Sequence, residues 1–291
     1  MWKMRYNNPM KQSVVFLFFL MLVSGMASAK LPVVVSIQPQ KTFTEAIGGA
    51  YVSVEVMVLP GNSPHTYEPK PSQMKQIAHA RLYLALGVEF EQVWLPKFRD
   101  LNPTLHIVDV SEGIPRRPMR EKHTAKSGAL DPHIWTAPIH VRRIAHNTLV
   151  ALQQADPAHA EAYARNYQEF VRRIDATDAQ LHALLDPLKG SAFMVQHPSW
   201  GYWADAYGLE QLPMNLAGKS PKPRELVALI RQARARHVRA VFTQPETSDT
   251  LARVLARELH IPVVRISPMA RDWSANLLRL GRAVAGKPEQ P

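Results

Sequence analysis

Three histidines stand in closely similar local sequences, and neutral histidine is among the commonest metal ligands in proteins. His65 lies in PGNSPHTYEP, His133 in LDPHIW and His197 in MVQHPSWGY. Each is adjacent to a proline, at a point where a strand or loop is expected to end. Three imidazoles would supply most of a zinc site. Because 68 and 64 residues separate them, only a tertiary fold can bring them together.

The other nine histidines are weaker candidates for metal binding. A lone histidine beside a strand end usually has a structural role, whereas three in matching contexts favour a metal site. His106 begins an expected strand, and His123 is the single histidine of the segment Pro115–Leu130, which does not favour a metal-collecting role for that segment. The remaining seven fall in helical patterns or at their ends: His79, His140, His146, His159, His182, His237 and His260.

The composition limits the chemistry that such a site can use. The 291 residues include no cysteine, which excludes disulfides and every thiolate ligand or nucleophile. The formal net charge is +11, but residues 30–291, with 32 basic and 24 acidic residues, are nearer +8. The basic residues are dispersed and not interleaved with aromatic ones. We therefore expect a solvated basic surface and no nucleic-acid binding.

Residues 1–29 have the pattern of a secretory signal peptide. Lys3, Arg5 and Lys11 form a basic region, Ser13–Met26 is apolar, and Ala27-Ser28-Ala29 is a small-residue cleavage site. The apolar run is short for a membrane span, although an uncleaved anchor is the alternative. No cysteine follows it, so a lipid anchor is not expected. We predict cleavage after Ala29 and a soluble protein in a bacterial periplasm.

Short β-rich runs alternate with helical patterns along the rest of the chain. Nearly continuous apolar strands separated by helices are typical of parallel β-α units. The sequence therefore predicts an α/β fold of two lobes, each with a parallel four-stranded sheet flanked by helices. The expected strands are Val33–Ile37, Val52–Leu59, Leu82–Leu86, His106–Val110, Ala192–Gln196, Glu210–Met214, Ala240–Thr243 and Pro262–Ile266, and the expected helices are Lys41–Ile47, Ser72–Ala80, Glu89–Lys97, Trp200–Tyr207, Arg224–Ala235, Ser248–Leu259 and Trp273–Val284.

One long amphipathic helix is expected between the two halves. Asp156-Pro157 is its natural start and Asp186-Pro187 its natural stop. Such a helix would be about 40 Å long and would join the lobes rigidly, leaving a cleft between them. The predicted domains are residues 30–155, the linking helix 156–188, and residues 189–291. The apolar stripe, with steps of three or four residues or their sums, is Tyr163, Tyr167, Phe170, Ile174, Leu181 and Leu184.

Seven motifs follow one another along the chain: SIQP (Ser36–Pro39), LPGNSPHTYEPKPSQM (Leu59–Met74), LALGVEFEQVWLPKF (Leu84–Phe98), DPHIW (Asp131–Trp135), DP with Y and N within Asp156–Asn166, HPSWGYWADAYGL (His197–Leu209) and SPKPREL (Ser220–Leu226). In these motifs and their order the chain resembles the zinc and manganese solute-binding proteins of ABC importers, and most closely the zinc receptors. PHTYEP and DPHIW occurring together make the resemblance specific.

The resemblance implies two α/β lobes bridged by a long helix, with a metal ion in the cleft between them. Carried over position by position, His65 and His133 are ligands from the first lobe and His197 is the ligand from the second. Asp131 and Glu68 are candidates to hold an imidazole in one tautomer. The implied function is capture of Zn²⁺, with Mn²⁺ less favoured, and delivery to an ABC importer permease in the inner membrane. We expect a monomer that is not an enzyme.

The chain departs from the family at the expected fourth ligand. The resemblance implies an aspartate that ends the last strand before a proline, but VVRISPMARDW puts Ser267 there. A serine hydroxyl is a poor ligand for a divalent ion at neutral pH. Three histidines with water, or a carboxylate displaced to Asp272 or Glu246, are the alternatives. Three imidazoles without a carboxylate favour zinc over the harder manganese ion.

Three histidines with an open water position are also the arrangement of a catalytic zinc site. An exported zinc hydrolase or lyase is therefore the alternative function. It would require a general base and a substrate pocket beside the metal. The sequence contains neither H-E-x-x-H nor G-x-S-x-G, so the receptor is the favoured hypothesis.

Overall fold

The apolar runs of the first half form one parallel sheet. A computed structural model describes Trp2 and residues 29–59, 61–119, 130–214, 221–245 and 248–287. In this sheet Leu31–Val35 lies between Val52–Val56 and Leu82–Ala85, and His106–Asp109 is the edge strand beside Leu82–Ala85. Val33 lies opposite Val54 on one side and Leu82 on the other. Its elements are β1 (Leu31–Val35), α1 (Gln38–Gly48), β2 (Val52–Val56), α2 (Pro71–His79), β3 (Leu82–Ala85), α3 (Glu89–Leu101) and β4 (His106–Asp109).

Two long helices follow the first sheet: α4 (Pro138–Ala155) and α5 (Ala160–Leu185). Short 3₁₀ turns at Pro157–His159 and Asp186–Leu188 flank α5 at the two Asp-Pro pairs. At the first turn, the Asp156 carboxylate accepts hydrogen bonds from the His159 ring at 2.7 Å and from the Tyr163 hydroxyl at 2.6 Å. The predicted helix between the lobes is confirmed. Residues 138–155, where only a helical pattern around His140 and His146 was expected, form a full helix that packs along it.

The second half repeats the architecture of the first. In its parallel sheet Ala192–Val195 lies between Glu210–Pro213 and Val241–Thr243, and Val263–Arg265 is the edge strand beside Val241–Thr243. The prediction of two parallel four-stranded sheets flanked by helices is confirmed. Each strand except Val241–Thr243 ends one to three residues earlier than the apolar run predicts, because the residues that follow lie in loops. The elements are β5 (Ala192–Val195), α6 (Gly201–Ala206), β6 (Glu210–Pro213), α7 (Pro223–Ala235), β7 (Val241–Thr243), α8 (Thr250–Leu259), β8 (Val263–Arg265) and α9 (Trp273–Val284).

The buried side chains of α5 connect the two lobes. One apolar cluster runs from the first sheet across α5 to α9 and β5, and a smaller one lies between the second sheet and helices α7 and α8. At the junction the Phe43 ring contacts Phe170 at 5.5 Å and Trp273 at 5.6 Å, so α1, α5 and α9 meet at one point. Among the described residues no helix is both long and apolar enough to cross a bilayer.

Candidate metal centre

The structure brings His65, His133 and His197 together. The Nε2 atoms of His65 and His197 are 3.2 Å apart, and the three ring centroids are separated by 5.1 to 5.5 Å. One nitrogen from each ring lies within 4.8 Å of the other two. In the part of the chain that the structure describes, this is the only group of three or more histidine, aspartate or glutamate residues with that spacing.

The three histidines lie in loops that border the cleft between the lobes. His65 lies in the loop after β2, and His133 directly precedes a 3₁₀ turn at Ile134–Thr136. His197 lies two residues beyond β5, and its carbonyl accepts a hydrogen bond from the Ser199 amide at 2.8 Å. Ligands in open α/β sheets bind beyond the carboxyl ends of the strands, which is where β2 and β5 deliver two of these side chains.

The His65 ring is oriented by a carboxylate from helix α3. Its Nδ1 lies 2.8 Å from Oε1 of Glu89, so Nε2 is the nitrogen that faces the other imidazoles. Burial would raise the pKa of Glu89, but the hydrogen bond from His65 and the nearby imidazoles lower it below its usual value. Glu68, the residue expected for this role, is exposed. A carboxylate on the far nitrogen fixes the tautomer and increases the basicity of the ligating nitrogen.

A second carboxylate orients the His133 ring, as the sequence predicts. Asp131 is 2% exposed, and its Oδ1 accepts hydrogen bonds from Nδ1 of His133 at 2.8 Å and from the His133 amide at 3.0 Å. Its Oδ2 accepts from Nε of Arg117 at 3.1 Å. Burial would raise the pKa of Asp131, but the bonds from His133 and the charge of Arg117 lower it. Asp131 is therefore ionised and holds Nε2 of His133 free for a metal.

His197 is kept neutral by its surroundings. Burial, and then the proximity of His133 and His65, lower its pKa to about 3. An imidazole with so low a pKa keeps its lone pair available at neutral and mildly acidic pH. Three rings that each present a free nitrogen to one point can bind a divalent ion without first losing a proton from His197.

Among the described residues, no aspartate, glutamate or fourth histidine joins the three-histidine group. Ser267 is half-buried, and its hydroxyl accepts a hydrogen bond from the Met269 amide at 3.1 Å. Asp272 is exposed and caps helix α9, where Oδ1 accepts from the Ala275 amide at 3.1 Å. Asp272 does not belong to the three-histidine group. Glu246 lies outside the described residues, as does His123.

Helix α3 also fixes the backbone that carries His65. The Phe90 amide donates to the Pro64 carbonyl at 3.3 Å, and the Phe90 ring packs against Tyr67 at 5.7 Å. Glu91 anchors this turn of the helix, because its buried carboxylate accepts from the Leu86 amide at 2.9 Å and the Gly87 amide at 2.7 Å. The sequence motif contains both Glu89 and Glu91, but nothing in it indicates which of them reaches the metal site.

Two α/β lobes joined by one long helix, with a histidine site at the cleft, define the class of metal-binding solute receptors. Within that class, residues 33–276 match the family described as ZnuA, zinc-uptake complex component A, periplasmic, and the chain belongs to this family. A solved structure described as the crystal structure of ZnuA is 35% identical, with a TM-score of 0.81, and the match covers 88% of this chain and 98% of that one.

Relatives that are named for different metals have similar sequence identities to this chain. The high-affinity zinc uptake system protein ZnuA of Bacillus subtilis (strain 168) is 27% identical over 79% of this chain and 76% of its own length. The iron-binding protein YfeA of Yersinia pestis is 30% identical over 79% of this chain and 74% of its own length. Overall sequence identity therefore does not show which metal this chain binds. The ligand set must be used to decide this instead.

Proposed function

We propose that this protein captures a divalent transition metal ion, Zn²⁺ in the first place, and delivers it to an ABC-type importer. The observation that carries the proposal is the convergence of three imidazoles, two of which have a carboxylate bound to the opposite ring nitrogen. This is an arrangement that zinc sites use. An all-nitrogen set lowers the affinity for harder ions such as Mn²⁺ relative to Zn²⁺. The transport role of the family favours this function over hydrolysis by a zinc-bound water.

The proposal extends to the location and organisation of the chain. Residues 1–29 act as a signal peptide that is cleaved after Ala29, and the mature protein works in the periplasm. Residues 30–155 and 189–291 are the two lobes, and residues 156–188 link them. The protein is a monomer without catalytic activity that docks on the permease through both lobes. The two parallel four-stranded sheets support the division into two lobes. The family's description as periplasmic supports the proposed location.

The test of metal capture begins with metal analysis of protein purified without chelator, followed by calorimetric competition of Zn²⁺ against Mn²⁺ and Fe²⁺. The variants His65→Ala, His133→Ala and His197→Ala are each expected to lose at least tenfold in zinc affinity. The control is His146→Ala, an exposed residue of α4. Zinc affinity unchanged in all three variants would exclude this site.

Delivery is tested separately with the permease and ATPase of a zinc importer from the same organism. In vesicles that contain both, zinc-loaded receptor is expected to stimulate ATP hydrolysis and zinc uptake. Receptor with all three histidines replaced by alanine should do neither. Uptake that proceeds equally well with the triple variant would show that this chain does not supply the ion.

A further inference from the structure

Arg117 of the first lobe reaches the second lobe directly beside the metal site. Its Nε donates to Oδ2 of Asp131 at 3.1 Å, and its NH1 donates to Oδ2 of Asp205 on helix α6. The Arg117 side chain is only 17% exposed. One guanidinium therefore joins a buried carboxylate of the first lobe to a half-exposed carboxylate of the second.

The first of these carboxylates is the one that orients His133. One oxygen of Asp131 accepts a hydrogen bond from the His133 ring, and the other accepts one from the Arg117 guanidinium. A planar guanidinium has donors in fixed directions, so a contact with one carboxylate oxygen constrains the position of the whole group. The orientation of the His133 ring is thus linked through Asp131 to the position of Arg117.

In the second lobe, the residues that contact Arg117 begin at Gly201, four residues after His197. The Tyr202 hydroxyl accepts from the Arg117 amide at 3.1 Å and donates to the Asp131 carbonyl at 3.0 Å, and the guanidinium carbon lies 5.0 Å from the centre of the Tyr202 ring. A Cβ atom at Gly201 would overlap with the guanidinium. Glycine at the start of α6 therefore leaves the space that the Arg117 side chain occupies.

We propose that Arg117 is a positioning residue that latches the two lobes together across the metal site and slows metal release. The inference rests on the proposed metal capture. Separation of the lobes must break the contacts of Arg117 with Asp205 and Tyr202. It also exposes the contact between Arg117 and Asp131 to water, and the link from His133 through Asp131 and Arg117 to helix α6 is lost. The hydrogen bonds of Arg117 to both carboxylates are charge-assisted, and the one to Asp131 is buried, so breaking or hydrating them is costly.

The experiment measures the rate of zinc dissociation into excess chelator for full-length mature protein. Arg117→Gln removes the charge and is expected to accelerate release by about tenfold, the lower end of outer-shell effects on metal affinity. Asp205→Asn removes one arm of the latch and is expected to have a smaller effect in the same direction. The matched control is Arg142→Gln, because Arg142 also joins two carboxylates, Asp175 at 2.6 Å and Asp178 at 3.3 Å, but does so between α4 and α5.

Gly201→Ala tests the latch with Arg117 still present. Alanine at this helical position is expected to displace the guanidinium and to accelerate zinc release about as much as Arg117→Ala. In the double variant the overlap no longer exists, so Gly201→Ala should add nothing to Arg117→Ala. Such non-additivity is the signature of two residues that act through one contact. Additive effects would show that Gly201→Ala acts on α6 alone and would overturn the proposal.

A purely structural role for Arg117 predicts a different result. It would lower the unfolding free energy of zinc-free and zinc-loaded protein equally, leaving the zinc-induced rise in melting temperature and the release rate unchanged. The latch predicts a smaller zinc-induced rise and faster release. Release rates within twofold of the wild type in Arg117→Gln would overturn the latch, whereas a wild-type protein that binds no zinc would overturn the proposed function instead.

Discussion

Nδ1 of His65 lies 2.8 Å from Oε1 of Glu89, which is 24 residues further along the chain on another element. The contact joins the loop after β2 to the first turn of α3. Asp131 contacts Nδ1 of His133 in the same way. The two first-lobe histidines are therefore oriented by the same kind of contact, a carboxylate at Nδ1. The ring of each is held by a carboxylate at Nδ1, so that Nε2 is left for the candidate metal site.

Glu89→Gln is expected to weaken zinc binding about tenfold, because the amide keeps the size of the side chain but removes the charge that raises the basicity of His65. Titration calorimetry at pH 7 measures the change. Glu68→Gln is the control, since Glu68 is a nearby exposed glutamate. An equal loss of affinity in both variants would mean that general electrostatics, and not the contact with His65, is responsible.

Ser267 and Asp272 are expected to behave as structural residues and not as ligands. Asp272→Ala should lower the free energy of unfolding by about 1 kcal/mol, because α9 loses its N-cap. Urea denaturation measures this. Neither Asp272→Ala nor Ser267→Ala should change zinc affinity. A tenfold loss of zinc affinity in Asp272→Ala would instead identify Asp272 as the fourth ligand, which is one of the alternatives that the sequence allows.

The sequence predicted the features that depend on local pattern. The two sheets follow from short apolar runs such as those of β1 and β5, and the linking helix follows from the stripe between two Asp-Pro pairs. Asp131 and Glu68 were the two candidates to hold an imidazole, and of these Asp131 contacts a ring, that of His133. Strand ends were predicted too late, since an apolar residue such as Val58 can be buried in a loop as well as in a strand.

The remaining features depend on contacts between distant parts of the chain. Glu89 and Glu68 are equally good carboxylates in the sequence, and only the packing of α3 against the His65 loop selects Glu89. Arg117 and Asp205 are 88 residues apart, so no spacing rule connects them. Such pairs are set by how the elements pack, and hydrophobic periodicity carries no information about them.

Glu91 gives the zinc-free protein a predictable pH dependence. Burial raises its pKa from the usual 4.5 to about 7, although bonds from Ser36, Leu86 and Gly87 oppose the shift. The folded state therefore holds this proton more tightly than the unfolded chain. Its contribution to stability is fully present below about pH 4.5 and is lost as the pH rises through about 7, up to about 3 kcal/mol in all.

The variant Glu91→Gln should abolish this dependence, because an amide does not titrate in that range. Urea denaturation of wild type and variant from pH 4.5 to 8 measures the difference in their unfolding free energies. As the pH rises, the wild type is expected to lose stability relative to the variant. Parallel curves over the whole range would show that Glu91 keeps an ordinary pKa in the folded protein.

Two buried indoles tie the lobes together beside the site. Trp135, two residues after His133, donates from Nε1 to the Pro268 carbonyl at 2.8 Å, and its own carbonyl accepts from Nε1 of Trp273 at 2.7 Å. Trp135→Phe removes one donor and leaves the Pro268 carbonyl without it. We expect a loss of about 1–3 kcal/mol in unfolding free energy beyond the loss of packing.

Trp203→Phe is the matched control for the packing term. Trp203 is also fully buried, but its Nε1 has no hydrogen-bond partner among the described residues. Both substitutions delete the same atoms, so the difference between them contains the hydrogen bond across the lobes and the cost of the buried, unpaired N–H that Trp203→Phe removes. Urea denaturation at constant pH, with the slope of each transition compared, supplies both values. Equal losses in the two variants would mean that the indole bond between Trp135 and Pro268 contributes nothing to holding the lobes together.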